Sequence, residues 1–258
     1  MLLAFDDNGP GPVVVLLHGF PFDRHLWNAQ VANIGSIYRV ITPDLRGHGE
    51  SAAPEGAYPI DAMADDVIET LDALQLRGPV VIGGHSMGGY VAFSLAVRFP
   101  ERVRALILID TRAGADGFDA ASNRKSLARL VEETGETTTV VDGMLPKLFS
   151  PLTRERRPEV ISMLHEQMLK THPRAIVGAL RGMAERPDRT GDLSKIRVPA
   201  LVLVGEDDAI TPVTEAQTLA DALPNAQLKV IPGAGHVAPA ENPDATNRAI
   251  LTFLNGLA

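Results

Sequence analysis

The sequence predicts an α/β fold, a mostly parallel sheet flanked by helices. Short apolar runs, Val13–Leu17, Val40–Ile41, Val80–Ile82, Leu106–Ile109, Leu201–Val204 and Leu228–Ile231, alternate with amphipathic or polar stretches of helical length. Runs apolar at successive positions suit strands buried on both faces, and the long segments between most of them allow the crossovers that parallel neighbours need. A chain of 258 residues with 45% hydrophobic content can also bury a full core.

Composition removes several classes of partner. Lys and Arg number 24 against 32 Asp and Glu, a net charge of −8, which argues against nucleic acid or an anionic membrane surface. With no cysteine, the chain has no disulfides, thiolate catalysis or cysteine-ligated metal centres. The start, Met1 to Asp7, lacks a basic region and carries two early acids, so it does not read as a signal peptide. No apolar run approaches the ~18 residues of a membrane span. The expected location is cytoplasmic, with no membrane partner.

Taken in order, the first strand, Val13–Leu17, runs into the loop His18-Gly19-Phe20-Pro21, and Val40–Ile41 marks the next. The run Val80–Ile82 leads into Gly84-His85-Ser86-Met87-Gly88, after which Tyr90, Val91, Leu95 and Phe99 recur at helical spacing until Pro100. A G-x-S-x-G sequence between a strand and a helix makes a turn so tight that its flanks leave no room for side chains, hence glycine two residues before and two after. Ser86 is therefore the candidate nucleophile.

After Leu106–Ile109 the alternation fails from about Thr111 to Asp192. That stretch is helix-like, punctuated by Pro146, Pro151, Pro158, Pro173 and Pro187, with Val160, Ile161, Leu164 and Met168 at helical spacing. It reads as a cap, 112–192, inserted in a core of 1–111 and 193–258, and it should lie over the strand ends where ligands bind in α/β sheets. Its methionines, Met144, Met163, Met168 and Met183, are expected to be core filler more often than substrate contacts.

A serine hydroxyl near neutral pH needs a base within hydrogen-bond reach and a carboxylate to orient that base. Of seven histidines, His236 lies in the glycine-rich loop Pro232-Gly233-Ala234-Gly235-His236 just after the last run, whereas His165 and His172 fall in the cap and are expected to be exposed. The acid should tip another strand. Leu201–Val204 leads to Gly205-Glu206-Asp207-Asp208, with Asp208 preferred over its neighbour. Asp110 also tips a strand, and capping the next turn is its expected role. The N–H groups of Met87 and Phe20 are the candidate oxyanion donors. The Phe20 side chain is as well suited to core packing as to the pocket. No H-E-x-x-H or tight His/Asp cluster implies a metal, and no phosphate-cradling loop implies a nucleotide cofactor.

With these residues the chain resembles the α/β-hydrolase superfamily along nearly its whole length. Asp44-Leu45-Arg46-Gly47-His48-Gly49-Glu50-Ser51 is similar to the family's D-x-R-G-x-G-x-S turn, and Gly205, Asp208 and Pro212 match its G-x-x-D-x-x-x-P loop. That match settles the acid on Asp208, and implies structural roles for Arg46 and His48. The short stretch before Val13 implies fewer than the family's eight strands. Within the superfamily the resemblance is to small esterases, enol-lactonases and cofactor-free perhydrolases. A serine at position 86 argues against the dehalogenases and epoxide hydrolases, which use aspartate there. The expected substrate is a small ester or lactone, cleaved through an acyl-enzyme, with perhydrolysis as an implied side activity. The alternatives are C–C hydrolysis of a β-diketone-like substrate, or a slow-turnover ligand-binding receptor.

Overall fold

The sheet sets where every loop emerges. A computed structural model describes residues 1–257. Its strands are β1 (Phe5–Asn8), β2 (Val13–Leu17), β3 (Arg39–Pro43), β4 (Val80–His85), β5 (Val103–Ile109), β6 (Ala200–Gly205) and β7 (Ala226–Ile231), ordered β1-β3-β2-β4-β5-β6-β7. All neighbours run parallel except β1 with β3, where Phe5 faces Pro43 and Asn8 faces Val40. Seven strands agree with the reduced sheet that the short N-terminal stretch implied. β1 itself has one large apolar residue, Phe5, followed by Asp6, Asp7 and Asn8, so no apolar run announces it. A paired Asp7 and Arg39 across the ladder, at 2.6 Å, holds this edge.

Alternate residues of the strands feed two cores. Val15, Leu17, Ile82, Leu106, Leu108, Val202 and Val204 pack on one side of the sheet, and Val14, Leu16, Val81, Ile107, Leu201 and Leu203 on the other. Helices α1 (Asn28–Ile34), α2 (Ile60–Ala73) and α3 (Met87–Arg98) alternate with the first strands. Helix α2 turns Ile60, Met63, Ala64, Val67 and Leu71 into the first core, the i, i+3, i+4 stripe of an amphipathic helix. Near the C-terminus lie α9 (Val213–Ala222), the single turn α10 (Ala238–Glu241) and α11 (Pro243–Asn255), which with α1 covers the second core. The last strand departs from the two-face expectation. Lys229 and Val230 of β7 are exposed, because β7 is a sheet edge with no further strand beside it.

Between β5 and β6 the chain forms five consecutive helices: α4 (Phe118–Thr134), α5 (Thr138–Leu148), α6 (Pro151–Arg156), α7 (Pro158–Leu169) and α8 (Pro173–Ala184). Pro151, Pro158 and Pro173 each open a helix at its first position, where a missing N–H costs nothing. Pro146 does not break the chain but sits inside the last turn of α5, where only one intrahelical hydrogen bond is forfeited. Among the described residues no helix is long and apolar enough to cross a membrane.

Candidate active site

The centre of the site is the junction of β4 and α3. Ser86 has φ 48° and ψ −111°, outside the usual basins for an L-residue. Its N–H donates to the Ile109 carbonyl at 2.9 Å, and its own carbonyl accepts from the Thr111 hydroxyl at 2.8 Å. The flanking glycines are sterically obligatory. A Cβ on Gly84 would lie 2.3 Å from the Gly88 carbonyl oxygen, and one on Gly88 would lie 2.2 Å from that of Leu17. The turn therefore lifts Ser86 at the C-terminal end of the sheet while α3 starts directly behind it.

Three residues from three strand ends meet there. The Ser86 hydroxyl lies 3.0 Å from His236 Nε2, and His236 Nδ1 lies 2.9 Å from Asp208 Oδ2. Asp208 also accepts the N–H groups of Ile210 and Thr211 on Oδ1, at 2.8 and 2.9 Å, and the Thr211 hydroxyl on Oδ2 at 2.7 Å. Burial works against its charge, but the neighbouring imidazole and these hydrogen bonds outweigh it and hold the carboxyl below its ordinary value. An ionised Asp208 makes Nδ1 the protonated nitrogen of His236 and leaves Nε2 free to take the hydroxyl proton. Asp207, the neighbouring candidate, is exposed and outside this chain of bonds.

The histidine loop is held from all sides. The His236 N–H donates to the Leu148 carbonyl at 2.8 Å, and its carbonyl accepts from His85 Nε2. On either side, the N–H groups of Gly235 and Val237 donate to Glu241 Oε1, while Glu241 Oε2 accepts the N–H of Ser150. Asp110 does not cap the next turn. Its oxygens accept the N–H of Gly205 and of Ala238, at 2.8 and 3.1 Å, tying the end of β6 to the histidine loop. Burial, reinforced by the nearby charge of Asp208, pushes the Asp110 carboxyl well above the ordinary carboxylate value. Glu241 and His85 were not singled out from the sequence. A glutamate five residues past His236, just before a proline-initiated helix, was the available signal.

The remaining expected residues divide clearly. Phe20 and Met87 flank the serine, and among the described residues no acceptor takes the N–H of either. Phe20, Ser86 and His236 line a common cavity of about 410 Å³, and the buried Phe20 is also part of the first core, so it serves both expected roles. Met144 and Met183 line it too, whereas Met168 is buried in the second core and Met163 is exposed. His172 is exposed, but His165 is half-buried and bonded to Asp142 at 2.7 Å. Arg46 pairs with the buried Asp66 through two hydrogen bonds, and His18 accepts the Leu45 N–H on Nε2, bracing the 44–51 turn. Burial drives the pKa of His48 and of His85 down to about 3. Among the described residues no group of three or more His, Cys, Asp or Glu side chains is arranged to hold a metal ion.

Comparison with known proteins agrees with this architecture. The 3-oxoadipate enol-lactonase 2 of Acinetobacter baylyi is 32% identical over 239 residues, 93% of this chain and 87% of that protein. A malate-bound thermophilic esterase from Thermogutta terrifontis superposes with a TM-score of 0.97 at 43% identity, covering 99% of this chain and 93% of its own. The enol-lactonase of Burkholderia xenovorans gives 0.90 at 28% identity, over 98% and 96%. Residues 12–243, which carry strands β2 to β7, the serine turn and the acid and histidine loops, match the α/β hydrolase fold family, and the chain belongs to that family.

Proposed function

We propose that the protein is a serine carboxylic-ester hydrolase acting on small esters or lactones. The observation that carries this reading is the unbroken series from the Ser86 hydroxyl through His236 to Asp208, opening into a cavity large enough for a small ester. Esterases and enol-lactonases among the relatives support the same class.

In this mechanism His236 Nε2 takes the hydroxyl proton as Ser86 Oγ bonds to the substrate carbonyl carbon. The developing oxyanion is held by the N–H groups of Phe20 and Met87. His236 returns the proton to the leaving alkoxide, and the C–O bond breaks to give an acyl-enzyme. Water deprotonated by His236 then releases the acid and restores the serine. Asp208 keeps the imidazole in the accepting tautomer and stabilises its cation. Residues 112–192 act as the cap over the core of 1–111 and 193–258. Leu127 of α4, Val140 and Met144 of α5, and Leu180 and Met183 of α8 would meet the substrate.

The test is hydrolysis of p-nitrophenyl esters from acetate to decanoate by the wild type and Ser86→Ala. Activity should peak at short acyl chains and fall by about 10⁴-fold or more in the variant. Wild-type rates in Ser86→Ala would end the proposal.

A further inference from the structure

The cavity over Ser86 carries a charge that the molecule as a whole does not. The chain has a net charge of −8, yet Arg124 of α4 and Lys147 of α5 line this cavity and no aspartate or glutamate does. Arg124 is fixed in place. Its Nε–H donates to Asp116 at 2.6 Å, while its two terminal amino groups find no acceptor among the described residues. The Asp116 side chain is itself buried and receives Arg112 at 3.3 Å and Arg186 at 2.8 Å. Three guanidiniums thus share one carboxylate; Arg124 lines the cavity over Ser86, whereas Arg112 and Arg186 line a separate pocket, with Asp188 also near Arg186. Arg186 also lies 4.2 Å from the Tyr90 ring, another part of the cavity wall. The lysines in ion pairs are Lys125 and Lys195; Lys147 has no such partner among the described residues.

We propose that the cavity selects anionic substrates, small esters or lactones bearing a carboxylate remote from the scissile carbonyl, with Arg124 and Lys147 holding that carboxylate. The inference rests on the serine-hydrolase reading of the same site and names its substrate class. A guanidinium already oriented by its Nε loses little freedom on pairing, and its free fork matches a carboxylate. The apolar wall of Leu127, Val140, Met144 and Leu180 weakens solvent screening at the half-buried Arg124, while Lys147 reaches the same cavity from an exposed position. A neutral acyl chain in the same place would strip water from the Arg124 guanidinium and return no partner, which works against it.

The test compares 4-nitrophenyl hydrogen adipate with its neutral methyl ester, read as nitrophenolate release, in the wild type, Arg124→Met, Lys147→Met and a surface control, Lys229→Met. The wild type should favour the anionic ester in kcat/KM by about tenfold or more, the range of a charge-assisted hydrogen bond. That ratio should drop toward one in Arg124→Met and in Lys147→Met and stay unchanged in Lys229→Met. Because loss of the Asp116 contact could unfold Arg124→Met, Lys147→Met alone is sufficient to decide. Equal turnover of the two esters by the wild type, or an equal loss on both in Lys147→Met, would overturn the proposal. Calorimetric titration of Ser86→Ala with monomethyl adipate and dimethyl adipate reads the preference without catalysis. Tighter binding of the monoanion supports the inference even if the hydrolase reading fails, and equal binding refutes it.

Discussion

Replacing Asp208 by asparagine should disable the protein while leaving its shape nearly intact, and the local hydrogen bonds say how. Oδ1 of Asp208 accepts two backbone N–H groups, from Ile210 and Thr211, so in Asp208→Asn the amide oxygen must stay on that side. The amide nitrogen then occupies the position of Oδ2, facing the Thr211 hydroxyl and His236 Nδ1. The hydroxyl can rotate and accept. The imidazole can accept only by moving its proton to Nε2, the atom 3.0 Å from the Ser86 hydroxyl. Protonated there, it can no longer act as base. The corresponding substitution in serine proteases lowers kcat by about 10⁴-fold, and at about 1.4 kcal/mol per factor of ten this is about 5.5 kcal/mol of barrier. Steady-state hydrolysis of p-nitrophenyl acetate should show that loss in kcat with KM little changed, and circular dichroism should show an unaltered fold. A kcat within tenfold of wild type in a folded Asp208→Asn would refute the tautomer argument.

Other consequences follow from the same structure. Gly88→Ala places a methyl group 2.2 Å from the Leu17 carbonyl, on backbone that cannot swing aside; soluble yield and esterase activity should both collapse, and a fully active Gly88→Ala would contradict the packing described. In Glu241→Gln one amide N–H would face backbone donors of Ser150 or of the histidine loop, costing about 1–3 kcal/mol and lowering the melting temperature; an unchanged Tm would count against that brace. The protein should lose stability on acidification. His48 and His85 are buried with folded pKa values of about 3, so below the unfolded value near 6.5 the unfolded chain takes up protons that the native state refuses. Each histidine then costs about 1.4 kcal/mol per pH unit down to about pH 3. Asp110, raised in the native state, works the other way as pH falls through its folded value, and offsets only part of this. Thermal melts should give a lower Tm at pH 5 than at pH 7, and the reverse order would show that the histidines are not buried neutral.

What could be read from the sequence was what local sterics or local periodicity dictate. The serine turn is legible because Gly84 and Gly88 are forced by backbone atoms within a few residues or on the adjoining strand, and β4 is legible because both its faces are buried. β1 was not, since an edge strand reading Phe5-Asp6-Asp7-Asn8 is specified by its ladder with β3 and the Asp7–Arg39 pair rather than by hydrophobicity. The brace of the histidine loop was equally hidden. Glu241 and His85 matter because α10 and the end of β4 converge on one loop, a tertiary fact without a sequence period. Asp110 shows the intermediate case, in which its place at a strand tip was evident but its ties to Gly205 and Ala238 depend on how two later segments return. Arg124 and Lys147 lie on separate helices, and only the packing of α4 and α5 brings them to one cavity with Ser86.

The central claim is that Ser86 is the nucleophile, and covalent capture tests it most directly. The protein would be treated with a 4-nitrophenyl alkylphosphonate, which phosphonylates an activated serine with loss of nitrophenolate, and then digested and sequenced by mass spectrometry. A single stoichiometric adduct is expected on Ser86, absent from Ser86→Ala and strongly slowed in Asp208→Asn. An adduct on another residue, or full inactivation with Ser86 unmodified, would contradict it.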